Sequence, residues 1–146
     1  MLITKCDKSE LGAKIDTLLK SDAAEKLGVA EDAYVSLGFA LIDSGVVRGG
    51  VTGALTLQGF HIGALALDKD LRQQGHGTKL MKAIEREAIR LGAKVLTVST
   101  QGFQALGFYE KLDYEVFATL DDWPIAGETK YYLKKIVTEN DGCQAS

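Results

Sequence analysis

A chain of 146 residues, 46% hydrophobic and 25% charged, has the size and composition of one soluble globular domain. Its formal net charge of -3 argues against the basic footprint of a nucleic-acid binder. Its apolar runs, each broken by glycine, hydroxyl or charge, are too short to span a bilayer.

The expected compartment is the cytoplasm. No basic segment followed by an apolar stretch opens the chain, and Cys6 and Cys143 lie near opposite ends in no metal-like or redox spacing. No metal site is expected. The expected organisation is a single domain over residues 1–146, with its core in about 1–137 and a disordered polar tail over 138–146.

In chain order, Met1 to Lys5 reads as a short strand. Leu11, Ile15, Leu18 and Leu19 then fall on one helical face within Glu10 to Lys20. Ser21 and Asp22 read as the N-cap of a second short helix, which Gly28 stops. From Tyr34 the period changes to two. Val35, Leu37, Phe39 and Leu41 alternate through a first long strand, and Asp43-Ser44-Gly45 turns the chain. Val51, Gly53, Leu55 and Leu57 give the next strand, Gln58-Gly59 the next turn, and Phe60 to Leu67 a third strand of the same meander.

Helical periodicity returns after Gly77. Leu80, Met81, Ile84, Ala88 and Leu91 form an apolar stripe, with Lys82, Glu85, Arg86 and Arg90 on the opposite, solvated face, and Gly92 ends the helix. Lys94 to Ser99 is a short strand and Phe103 to Leu112 a helix. Tyr114 to Leu120 and Thr129 to Ile136 are the closing strands. A meander followed by a strand-helix-strand crossover predicts an α+β sheet covered by helices.

The chemistry concentrates between the third strand of the meander and the long helix. Gly75 and Gly77 strip side chains from a helix N-terminus, where unpaired N–H groups and the positive end of the helix dipole meet. Such a turn cradles a pyrophosphate, and Thr78 adds a hydroxyl. No Gly-Lys-Ser or Gly-Lys-Thr follows, and Leu80 stands where a dinucleotide fingerprint needs its third glycine. Taken alone, the two glycines are equally compatible with a tight strand-to-helix turn.

Arg72-Gln73-Gln74-Gly75-His76-Gly77 resembles the cofactor signature of the GNAT family of acyl-CoA-dependent N-acetyltransferases, at every fixed position and in the family's place along the chain. Phe108-Tyr109-Glu110-Lys111-Leu112 is similar to a second family segment, and Asp122-Trp123-Pro124 with Gly127 to Lys135 to the ending of its small bacterial members. The likeness runs from about residue 34 to 136. It departs at Asp113, where glycine is usual, and at Gly107, where proline is frequent.

The resemblance implies a mixed, mostly antiparallel sheet of about seven strands and about four helices, whose parallel fourth and fifth strands splay apart around acetyl-CoA. Backbone groups of Leu65 and Leu67 would pair with the pantetheine arm. Residues Arg72, Gln73, Gln74, Gly75, His76, Gly77 and Thr78 would form the pyrophosphate loop. Tyr109 would protonate the departing thiolate.

The implied reaction is acetylation of a small-molecule primary amine by direct attack in a ternary complex, by a protein that commonly forms homodimers. A non-catalytic CoA- or nucleotide-binding regulatory domain is the alternative. For a base, Asp68, Asp121, Asp122 and His61 are candidates, while Trp123 and Tyr34 are candidates to line the acceptor site. The Asp121-Asp122 pair favours a cationic amine.

Overall fold

The computed structural model describes residues 1–30 and 34–143, and the chain divides into two compact units, 1–33 and 34–146. Among the described residues the first unit holds one helix, α1 (Lys8–Leu27). Asp7 caps it by accepting from the N–H groups of Ser9 and Glu10, at 2.9 and 3.4 Å, and Gly28 ends it in the left-handed conformation at φ 65°. The sequence suggested two helices here. Ser21 and Asp22 instead lie inside one, where each costs only tenths of a kcal/mol in propensity. The Lys26 ammonium pairs with Asp22 one turn back at 3.0 Å. Met1 to Lys5 forms no strand and joins no sheet.

Among the described residues the second unit holds a six-stranded sheet rather than seven, in the order β1-β2-β3-β4-β6-β5. Strands β1 (Tyr34–Asp43), β2 (Val46–Thr56) and β3 (Gly59–Leu67) make the antiparallel meander. Ser44 and Gly45 both take positive φ, as a two-residue hairpin turn with the right twist demands. Strand β2 begins five residues earlier than alternation suggested, because Gly49 and Gly50 continue it. A Cβ on Gly50 would lie 2.8 Å from the Phe39 carbonyl oxygen, so a side chain there would push β1 away. Leu57 belongs to the following turn, at φ 58°.

From β3 the chain passes through a short 3-10 turn, Lys69–Leu71, into α2 (His76–Arg90) and returns as β4 (Val95–Gln101), parallel to β3. Helix α3 (Phe103–Glu110) follows, then β5 (Glu115–Asp121) and β6 (Thr129–Ile136), and β6 inserts between β4 and β5. Residues expected to form a disordered tail include a short helix, α4 (Glu139–Cys143), with residues 144–146 outside those described. The Asp141 carboxylate closes its first turn by accepting from the N–H and hydroxyl of Thr138, at 2.7 and 2.8 Å.

The core is the layer between α2 and the sheet. Leu80, Met81, Ile84 and Ala88 of α2 are buried on Val51, Leu55, Phe60, Ile62, Leu96, Val98 and Leu133. Glu85 departs from the expected solvated face. It is 6% exposed, accepting from the Tyr114 hydroxyl at 3.2 Å and the Lys135 ammonium at 2.9 Å. Those two donors make burial of its charge tolerable and tie α2 to β6. Among the described residues no helix is long and apolar enough to cross a membrane.

Candidate functional site

The parallel pairing of β3 with β4 lasts four residues, from Gly59 opposite Val95 to Ile62 opposite Val98. Beyond that point both strands continue, to Leu67 and Gln101, without pairing to each other. The sheet is split there by a cleft of about 340 Å³, lined by Ile62 to Leu65, Val98 to Gln101, Tyr109 and Lys130.

The Asp68 N–H donates to the Arg48 carbonyl at 2.9 Å, so residue 68 faces β2. Backbone groups alternate in direction along a strand, so those of Leu67 and Leu65 point away from β2, toward the side where β4 has parted, and Leu65 lines the cleft. The Leu67 carbonyl accepts from Arg72 Nε at 3.1 Å, in keeping with that direction. A strand edge of this kind presents main-chain donors and acceptors to any extended ligand that carries amides.

The loop from β3 to α2 is braced from within. Arg48 pairs with Asp68 through Nε and with Asp70 through Nη2 at 2.8 Å, and the guanidinium beside Asp70 holds that carboxyl below its usual range. Gln74 donates from its side chain to the Asp70 carbonyl at 2.7 Å. The Arg72 and Gln74 side chains thus fasten the loop to itself, which leaves its backbone to meet a ligand. Gln73 and Gly75 take φ of 59° and 84° and turn the chain into α2.

No side chain caps α2, and its first intrahelical bond runs from the Lys79 N–H to the Gly75 carbonyl at 3.2 Å. The N–H groups of His76, Gly77 and Thr78 precede that bond and form the donor cluster that favours anions. The two glycines act differently. Gly75 supplies a conformation that side chains resist. Gly77 is buried, and a Cβ on it would sit 3.4 Å from the Phe108 ring.

A groove of about 560 Å³ continues from Thr78 between α2 and α3. Lys82, Arg86, Lys111 and Lys135 line it, against Glu85, Asp113 and Asp141. The sequence reading took Lys82 and Arg86 for a solvated face and missed Lys111. Their spacing, with Thr78, Lys82 and Arg86 at successive i+4 steps, was the available signal. Lys79 does not line the groove. An open strand edge, an uncapped helix and a cationic groove in sequence suit a long ligand with an amide arm and phosphates.

Tyr109 projects from α3 into this arrangement. Its ring is buried edge-on against Phe108, with centroids 5.0 Å apart, and against Tyr114, at 5.9 Å. Its hydroxyl has no hydrogen-bond partner among the described residues. No side-chain oxygen or nitrogen there is both fully buried and unpaired, so the hydroxyl reaches the cleft. Burial raises the phenol above its ordinary value, which keeps it protonated and a donor at neutral pH. Asp113, at φ 70°, adopts the left-handed conformation in which glycine is usual, in the turn that follows α3.

The candidate bases are elsewhere engaged. Asp68 is held by Arg48. Asp121 accepts from the Thr129 hydroxyl at 3.2 Å and Asp122 from the Gly127 N–H at 2.9 Å, so both close the β5–β6 hairpin. His61 Nδ1 lies 2.9 Å from the Thr97 hydroxyl, in the part where β3 and β4 still pair. Neither Tyr34 nor Trp123 lines the cleft. Among the described residues no three of the types His, Cys, Asp and Glu gather as metal ligands.

The sequence model of the acetyltransferase (GNAT) family matches residues 10–114. A blasticidin-S acetyltransferase from Streptomyces morookaense is 33% identical over 98 residues, 66% of this chain and 71% of that protein. Among solved structures, an acetyltransferase from Agrobacterium tumefaciens superposes with a TM-score of 0.79 at 21% identity, covering 94% of this chain and 98% of the other. An aminoglycoside 6′-N-acetyltransferase in complex with coenzyme A gives 0.63 at 16% identity, over the same shares.

Proposed function

Because the chain belongs to the acetyltransferase (GNAT) family, we propose that it moves the acetyl group of acetyl-CoA to the primary amine of a small-molecule acceptor. The observation that carries this reading is the end of the β3–β4 ladder at Ile62 and Val98, with the Tyr109 hydroxyl at the cleft so formed. The edge of Leu65 and Leu67 would take the pantetheine amides as an added strand. The backbone of Gln73 to Thr78 would take the pyrophosphate, and the cations lining the groove would take the remaining phosphate.

In the ternary complex the neutral amine attacks the thioester carbonyl carbon. A C–N bond forms, the C–S bond breaks, and the electron pair leaves on sulfur. Tyr109 supplies the proton that the thiolate takes up, and the proton lost by the nitrogen passes to water, which returns one to the phenolate. An N–H of the open β3 edge would stabilise the charge on the carbonyl oxygen. Relatives named for blasticidin S and for the 6′ amine of aminoglycosides favour a small molecule as acceptor.

Thermal denaturation with acetyl-CoA, against ATP and buffer, tests the reading. At a hundredfold excess over Kd, binding adds about 2.7 kcal/mol, or about 5–10 °C for a domain of this size. Gly75→Val, which forces a branched side chain onto φ 84°, should abolish the shift. No shift with the unaltered protein at millimolar acetyl-CoA refutes the proposal.

A further inference from the structure

The cleft has two sides. In β6, Leu133 is buried beneath α2 with Tyr131 packed against the same core, so Lys130 and Tyr132 face the opposite side of the sheet. Tyr109 stands on the α2 side, and Lys130, paired in register with Gln101, reaches the cleft from the other. A thioester threaded through the cleft therefore offers its carbonyl to a nucleophile arriving beside Lys130.

Lys130 is half-buried and has no carboxylate within ion-pairing distance among the described residues. Its ammonium lies 5.8 Å from the Trp123 ring centroid and 5.5 Å from that of Tyr132. The other lysines of β6 that flank the core behave differently. Lys134 pairs with Glu115 at 3.7 Å and Lys135 with Glu85 at 2.9 Å. The nearest acid in sequence, Glu128, makes no ion pair with Lys130 among the described residues, and Asp121 and Asp122 are bound into the hairpin. Two aromatic faces hold the cation in place without cancelling its charge, and a partly desolvated cation in a cleft attracts an anion.

We propose that Lys130 binds an anionic group of the acceptor, so that the acceptor is an amine carrying a carboxylate or phosphate. The inference rests on the acetyltransferase reading and replaces the cationic acceptor that Asp121 and Asp122 suggested. It also serves the chemistry. A free carboxylate raises the pKa of a neighbouring ammonium, and neutralising it with Lys130 favours the unprotonated amine that attacks.

The test measures CoA release from acetyl-CoA with matched amines: β-alanine, γ-aminobutyrate and ornithine against their carboxamides, and O-phosphoethanolamine against ethanolamine. Melting with acetyl-CoA is followed in parallel. At least one anionic amine should exceed its uncharged counterpart by tenfold or more in kcat/KM, and its class separates carboxylate from phosphate. Lys130→Met should bring that acceptor down to the level of its counterpart while leaving the KM and thermal shift for acetyl-CoA unchanged. Lys130→Arg should retain most of the preference.

If acetyl-CoA shifts the melting point but only neutral or cationic amines react, or none does, the Lys130 assignment fails and the transferase reading stands. Loss of acetyl-CoA affinity in Lys130→Met overturns it too, since the lysine would then serve the acyl donor. Absence of any acetyl-CoA shift in the unaltered protein removes both.

Discussion

Replacement of Tyr109 by phenylalanine separates a proton donor from a packing aromatic. The ring contacts with Phe108 and Tyr114 survive the change, and the lost hydroxyl has no partner among the described residues. Stability should therefore move by less than about 0.5 kcal/mol. The chemical step should lose the general acid, worth about 10²–10⁴ in kcat, or about 3–5 kcal/mol on the barrier. Because burial lifts the phenol above its ordinary value, the wild-type donor stays protonated across pH 6–8. The deficit of the variant should then be constant over that range, with the KM for acetyl-CoA little changed. Steady-state thiol release, with melting curves on both proteins, measures each quantity. A variant that melts normally and keeps kcat within threefold of the wild type would refute the assignment.

Glu85→Ala should cost about 3–5 kcal/mol, because Lys135, 16% exposed in its side chain, loses its counter-charge. Glu85→Met with Lys135→Met should recover most of that loss in urea denaturation, and a double variant as unstable as the single one would contradict the account. Burial, with the Glu85 charge beside it, pushes the Tyr114 phenol far above its ordinary value. Unfolded phenols ionise near pH 10. Above that pH the folded chain holds more protons than the unfolded one, so stability should fall as pH rises. The ΔΔG of Tyr114→Phe should accordingly shrink between pH 9 and pH 11, and a constant ΔΔG would count against the buried pair.

What the sequence made legible was local. The strand, the turn at Gly75 and the stripe from Leu80 to Ala88 follow from residues within one or two turns of each other, and they lie where periodicity put them. The β1–β2 turn at Ser44-Gly45 is equally short-range. Glu85 was misread because its partners stand 29 and 50 residues away, and no helical pattern announces them. The point where β3 and β4 part was beyond pattern reading as well. Alternation gives each strand's faces but not how long two strands stay paired, and the expectation of a splay came from resemblance. Lys130 escaped notice because its setting depends on the register of β4, β5 and β6 together. The break imagined at Ser21 failed for the opposite reason. Capping residues are also tolerable helix residues, and only the ends at Asp7 and Gly28 satisfy the terminal groups.

The groups that the open half of β3 offers at Leu65 and Leu67 are main-chain amides, which every amino acid except proline carries in full. Exchanging those leucines for other residues alters packing and leaves the amides in place. A scan of alanine substitutions would therefore pass over this edge, where the pantetheine arm is proposed to bind. Only a change to the peptide unit itself, an ester in place of an amide, would speak directly about that edge.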